Sequence, residues 1–171
     1  MLTAEQLKRL LNLKPLAREG GYFSETYRAA ESVPKESLPG RYAGPKPFGT
    51  AIYFLLTPHT FSALHRLPTD EIYHFYLGDP VELLQLYPDG SGDVTILGHD
   101  LLTGMHLQLT VPHGTWQGSR LRPGGGFALM GTTMAPGFDF TDFEAGHRET
   151  LLKTYPAFRN LILALTRDAE R

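Results

Sequence analysis

The sequence contains no cysteine. That removes disulfide staples, thiolate nucleophiles and cysteine-ligated zinc from consideration. It also fits a reducing compartment, and the chain is expected to be cytoplasmic. No run of five lysines and arginines occurs, and the formal net charge is only −2. A nucleic-acid partner is therefore not expected. No apolar run approaches the ~20 residues of a membrane-spanning helix. The opening Met1-Leu2-Thr3-Ala4-Glu5 lacks the basic-then-apolar pattern of a secretory leader. No membrane association is expected. The phosphate-loop pattern Gly-x-x-x-x-Gly-Lys-Ser/Thr, the nucleophile elbow Gly-x-Ser-x-Gly and the zinc helix His-Glu-x-x-His are missing as well.

What is present suits one soluble domain spanning residues 1–171. Its length and its 42% hydrophobic content support a single sizeable core. Thr3 to Leu11 reads as a short helix, with Thr3 and Gln6 in capping-box spacing. From Gly21 to Met134 short apolar or alternating runs succeed one another, broken by Gly78-Asp79-Pro80, Pro88-Asp89-Gly90-Ser91-Gly92 and Gly124-Gly125-Gly126. Strands at that spacing without intervening helices predict an all-β sandwich or barrel. Residues 30–49 carry four prolines and read as a long loop over a pocket or a partner. Over 147–167 the period becomes helical: Leu151, Tyr155, Phe158, Ile162 and Leu165 form one stripe, with a break expected at Pro156.

Two segments carry candidate chemistry, Phe61 to Gly78 and Gly104 to Gln117. Simple alternation puts His65 on one face with Ala63 and Leu67, and Glu71 with Tyr73 and Phe75. A histidine and a carboxylate on neighbouring strands then converge inside a barrel. By the same alternation His74 faces away from Glu71, and Glu25 and Tyr27 share a face. In Pro136 to Glu144, Phe138, Phe140 and Phe143 interleave with Asp139, Asp142 and Glu144. The phenyl rings are expected to plug the barrel and the carboxylates to face water. The sharper alternative brings one carboxylate to His65.

The first segment resembles the first cupin motif: His-x-His, three or four residues, Glu, six residues, Gly. His65, Glu71 and Gly78 match, and Leu67 stands where the second His belongs. The second segment resembles Pro-x-Gly-x-x-His. Pro112 and Gly114 match, and Gln117 stands where the His belongs. The resemblance implies a jelly-roll barrel. It also implies a three-His, one-Glu metal set, of which two members are replaced here. An amide oxygen is a weak ligand and leucine is none. No cofactor is therefore expected, or at most a weakly held divalent metal on His65, Glu71 and Gln117. The chain is also similar, from about Leu13 to Pro156, to single-domain bacterial and fungal cupins often labelled predicted sugar epimerases. The shared stretches run Glu19 to Arg28, Ala51 to Leu56, Val111 to Trp116 and Ala135 to Glu144. A thinner resemblance, through Gly21, Phe23, Glu25 and the Leu64-His65 pair, reaches the dTDP-4-keto-sugar 3,5-epimerases. It implies a metal-free histidine base and a nucleotide-binding strand at a dimer interface.

These readings lead to an isomerase or epimerase acting on a small carbonyl-bearing sugar or sugar nucleotide. His65 is the expected base, with a pKa raised by neighbouring Glu71. Glu71 orients it or acts as the acid, Tyr73 or Tyr27 returns a proton, and Arg66 or Arg28 favours enolate charge. Glu25, Tyr27, Arg28, Arg66, Gln108, Trp116 and Gln117 are the candidate substrate contacts. The alternatives are a non-catalytic small-ligand binder and a metal-dependent oxygenase with a degenerate site. A homodimer is expected, since the strand from Tyr22 to Tyr27 precedes the long loop and is free to pair with a partner's sheet edge.

Overall fold

The computed structural model describes residues 2–167. Helix α1, Ala4–Leu10, opens with the expected capping box: Gln6 N–H donates to the Thr3 hydroxyl, and Thr3 N–H donates to Gln6 Oε1 at 2.9 Å. Thirteen strands follow among the described residues. They are β1 Lys14–Pro15, β2 Tyr22–Arg28, β3 Ser32–Val33, β4 Lys46–Pro47, β5 Thr50–Leu56, β6 Phe61–Arg66, β7 Glu71–Gly78, β8 Val81–Leu86, β9 Gly92–Leu97, β10 Gln108–Val111, β11 Trp116–Leu121, β12 Ala128–Met134 and β13 Glu144–Ala145. Helices α2, Arg148–Thr154, and α3, Arg159–Ala164, close the chain, with a 3-10 turn that begins at Pro156 between them.

Two antiparallel sheets, ordered β1-β2-β5-β12-β7-β10 and β13-β6-β11-β8-β9, face each other as a jelly roll. Their inner faces bury Phe54, Leu56, Tyr73, Phe75, Leu83, Leu97, Val111 and Met130. Parts of the outer faces are covered too. Leu7 and Leu13 of the N-terminal segment pack on Leu55 and Leu129. Leu151, Tyr155, Ile162 and Leu165 pack on Leu64, Leu84 and Leu86. A strand buried on both faces has no reason to alternate, which is why Ala51 to Leu56 is almost continuously apolar.

Two features of the connections bear on the site. The loop from residue 30 to 49 folds back on its own chain. Arg41 Nε donates to the Pro68 carbonyl at 2.7 Å, and Lys46 Nζ bridges both oxygens of Asp142 at 2.7 and 2.6 Å. Strand β2, expected to be free for a partner, is instead paired to β5 from Tyr22 to Arg28 and to β1 at its start. β1 reaches only Tyr22 and Phe23, so from Ser24 to Arg28 the other edge of β2 has no strand partner among the described residues, and the edge on which the dimer expectation rests stays open there.

The motif glycine Gly78 has a physical reason. It sits at φ +104°, and a Cβ there would run into the Phe127 carbonyl oxygen and stand 3.0 Å from Ala128 Cα. Gly78→Ala is expected to cost about 1–3 kcal/mol. Urea unfolding that shows no loss would mean the β7–β8 turn can relax.

Candidate functional site

Strand pairing decides which side chains point into the barrel. Between β6 and β11 the register shifts, pairing Gln117 with His65 and Ser119 with Ser62. The extra residue is a β-bulge, and paired residues share a face. Ser62 and His65 therefore both point inward, although alternation alone separates them. All four of these side chains are buried, and none is more than 2% exposed.

Glu71 enters from the opposite sheet, at the start of β7, and is 7% exposed. It accepts a hydrogen bond from Gln117 Nε2 at 2.8 Å across the barrel. Thr132 also bonds to it, and its charge acts on His65. Tyr73, two residues along β7, is buried beside it. This buried cluster of His65, Glu71, Tyr73 and Gln117 reaches a cavity through Glu71 alone. It is joined by Glu19, which the sequence reading did not single out. Gly20 and Gly21, both at positive φ, turn the chain so that Glu19 meets β6. Ala63 N–H donates to its carbonyl at 2.8 Å, and the Ser62 hydroxyl donates to its carboxylate at 2.5 Å.

Burial governs the charge states. It pushes Glu19 up to about 7, against the opposing effect of the Ser62 hydrogen bond. It raises Glu71, with the neighbouring Glu19 carboxylate acting in the same sense and His65 opposing. Tyr73 is pushed well above the usual phenol range, first by burial and then by the charge of Glu71 and Glu19. His65 departs from expectation. Glu71 does favour its charged form, but burial outweighs this and the pKa is lowered. Its Nδ1 lies 2.8 Å from the Ala63 carbonyl. A carbonyl only accepts, so Nδ1 carries the proton and Nε2 is bare in the neutral ring.

A cavity of about 50 Å³ opens against this cluster. Its walls are mainly apolar, with Phe23, Ile52, Leu67, Phe138, Phe140 and Phe143 prominent, and its charged members are Arg18, Glu19, Glu25 and Glu71. At ~10–15 Å³ per water-sized occupant, roughly three to five such groups fit. His65 and Gln117 stand behind this wall. Phe143, which lines the cavity, stacks on the His65 ring with centroids 5.0 Å apart. Thus a phenyl ring, not a carboxylate, meets the imidazole. Asp139 caps the 3-10 turn through Thr141, Asp142 is buried against Lys46, and Glu144 pairs with Arg66. Phe143→Ala is expected to rehydrate His65 and move its pKa back up toward the ordinary range. A histidine NMR titration unchanged from wild type would show that Phe143 does not keep water away.

Several candidate contacts lie outside the cavity. Arg66 alternates away from His65, binds Glu144 at 2.7 Å and covers the Trp116 ring at 4.6 Å, so neither Arg66 nor Trp116 enters. Gln108 is on the outer face with His74, 3.1 Å from its Nδ1. A register shift between Glu25 and Tyr27 breaks their common face: Glu25 lines the cavity, while Tyr27 is 58% exposed. Arg28 grips Glu25 through two hydrogen bonds, at 2.9 and 2.7 Å, rather than facing a substrate.

The donor set does not fit a first-row divalent metal. Leu67 is apolar, Gln117 turns its amide nitrogen to Glu71, and His65 with its bare Nε2 is the one imidazole of the set. No group of three or more His, Cys, Asp and Glu among the described residues could hold an ion. No helix among them is long and apolar enough to cross a membrane.

An antiparallel jelly roll with a histidine and a glutamate at this spacing on its inner faces defines a cupin. The chain belongs to the family described as Cupin superfamily (DUF985), which it matches over residues 5–146. It is 30% identical over 153 residues to Uncharacterized protein YML079W of Saccharomyces cerevisiae, covering 85% of this chain and 73% of that protein. It is 32% identical to Protein SO0799 from Shewanella oneidensis, known from an X-ray crystal structure. That match has a TM-score of 0.86 and covers 99% of this chain and 100% of the other. A hypothetical protein from Leishmania major is also 32% identical, with a TM-score of 0.87, covering 98% and 100%. None of these names states an activity.

Proposed function

We propose that the chain is a metal-free isomerase or epimerase that moves a proton next to the carbonyl of a small, uncharged polar molecule. The observation that carries this reading is the pair of inward-turned carboxylates, Glu19 and Glu71, on one small and largely apolar cavity. Environments that set two acids apart supply a base and an acid together. Glu19, near 7, is the base: its carboxylate takes the proton from the carbon beside the carbonyl. The electron pair moves to the carbonyl oxygen, which takes a proton from Glu71. The enediol then collapses. For isomerisation Glu19 returns its proton to the former carbonyl carbon while the neighbouring hydroxyl gives its proton to Glu71; for epimerisation water protonates the original carbon from the opposite face, the enol proton returns to Glu71, and Glu19 passes its proton to the hydroxide left behind. His65 and Tyr73 adjust Glu71 from behind the wall. This reassigns the base from His65, because the carboxylates reach the cavity and the imidazole is covered.

The volume favours a substrate, or the reacting end of one, of only a few heavy atoms. The ionised Glu19 that this chemistry needs disfavours an anion beside it, so a sugar nucleotide would have to leave its phosphates outside. A second reading, a binder without turnover, is favoured by the phenyl-rich lining. Incubation with small hydroxyaldehydes and hydroxyketones, from trioses to hexoses, in heavy water separates the two. The enzyme reading expects deuterium to enter beside the carbonyl, at a rate at least ~100-fold lower in Glu19→Gln. Saturable binding without exchange in any of them would leave the binder.

A further inference from the structure

Three buried side-chain atoms among the described residues have no hydrogen-bond partner: Gln85 Oε1, Gln117 Oε1 and Ser119 Oγ. Two are amide oxygens on residues directly opposite each other, Gln117 on β11 and Gln85 on β8. Both side chains are buried, at 2% and 3% exposure. Two carbonyl oxygens cannot serve one another, since each only accepts. The conflict follows from the bond beside it. Gln117 gives its Nε2 to Glu71, which leaves its oxygen turned away from that carboxyl group.

A half-turn of the Gln117 amide exchanges its nitrogen and oxygen. The nitrogen then serves Gln85, and the oxygen faces Glu71. With the Gln85 amide held as it stands, both orphaned oxygens are satisfied together only if Glu71 has a hydrogen to give. We propose that Gln85 is a positioning residue for Glu71: the Gln85–Gln117 relay holds Glu71 as the neutral acid, its O–H donating to Gln117 Oε1 and Gln117 Nε2 donating to Gln85 Oε1. Ionising Glu71 forces the amide back and leaves the two oxygens unpaired, so the relay resists ionisation from a residue that does not line the cavity. Ser119 Oγ faces Ser62 and takes no part.

The other charged groups around Glu71 are few. Glu19, Glu25 and Arg18 share its cavity wall, with Glu25 tied to Arg28. His65 approaches from β6, and Tyr73 from its own strand. Thr132 of β12, Gln117 of β11 and Gln85 of β8 do not titrate. Burial and Glu19 favour the same neutral form as the relay, and His65 opposes it.

The use of this proton as a general acid rests on the function proposed above. Its presence does not, and is measured in the resting protein with no substrate. The probe is the carboxylic-acid infrared band at neutral pH, assigned to Glu71 by its loss in Glu71→Gln. Wild type is expected to show that band. Gln85→Met keeps the bulk and removes the acceptor, and is expected to weaken proton affinity at Glu71 about tenfold, moving the midpoint down by about one pH unit. An absent band at neutral pH, or a midpoint that Gln85→Met does not lower, overturns the relay. If Gln85→Met does not fold, neutron diffraction from wild-type crystals decides. A deuteron on Glu71 with the amide nitrogen toward Gln85 supports the proposal. An ordered water between the two amide oxygens, or a bare Glu71, overturns it. Hydrogen exchange into hydroxyketones failing while these results hold would remove the reaction and leave the relay.

Discussion

Lys46→Met is expected to destabilise the protein by about 3–5 kcal/mol. Lys46 and Asp142 are 3% and 4% exposed at their side chains, and the ammonium touches both carboxylate oxygens. Removing the cation strands a buried carboxylate, and that desolvated charge is the source of the cost. The double variant Lys46→Met/Asp142→Leu removes both charges and is expected to recover most of the loss, because apolar replacements of a buried pair are often neutral or better. Urea unfolding of the two variants provides the comparison. A single-variant loss below about 1 kcal/mol would place the pair in water, where such pairs contribute little. The pair also ties the loop from residue 30 to 49 to the segment carrying Phe138, Phe140 and Phe143, whose rings line the cavity. Lys46→Met should therefore loosen the cavity wall as well as the fold.

The second large effect is on stability against pH. Glu19 binds its proton more tightly when folded, at about 7 against 4.5 for the free group. A carboxyl raised in this way stabilises the fold fully below the unfolded value, and that contribution is lost as pH rises through about 7. Proton binding tighter by that much corresponds to about 3 kcal/mol. This is an upper figure, because Glu19 as a whole residue is only partly buried. Glu71, also raised, adds in the same sense. His65 works the other way: its pKa is lowered, so its contribution is lost as pH falls below the ordinary 6.5. Unfolding free energy should thus fall between roughly pH 5 and pH 8. In Glu19→Gln that slope should flatten, since glutamine does not titrate. A wild-type profile that rises across the same interval would show Glu19 to be hydrated and ordinary.

The barrel was legible because its signals are local. Turn clusters punctuate the strands, and the spacing from His65 to Glu71 to Gly78 matches a motif whose glycine is required by the β7–β8 turn. The terminal helices also followed from period and capping. The site was legible in part. Glu71, Gln117 and His65 converge because strand and turn lengths fix them. Alternation failed at two bulges, in β2 and β6, where one extra residue re-aims a side chain. That is why Tyr27 points out while Glu25 points in, and why Ser62 joins His65. The sign of the His65 shift was misjudged because the sequence shows its neighbour but not its burial. Asp142 was expected in water, since its partner Lys46 lies 96 residues away in a loop. Glu19 was missed because it precedes its strand. The available signal was a carboxylate directly before the paired glycines Gly20 and Gly21.

The proposed chemistry depends most on the two carboxylates, Glu19 and Glu71, that meet at the cavity. Carbon-13 NMR of side-chain-labelled glutamate, with Glu19→Gln and Glu71→Gln for assignment, measures this directly. Two glutamates should titrate above the rest, Glu19 at about 7, and removing Glu19 should lower Glu71. If both titrate with the exposed glutamates, near 4.3, the acid–base pair does not exist and the proposed chemistry goes with it.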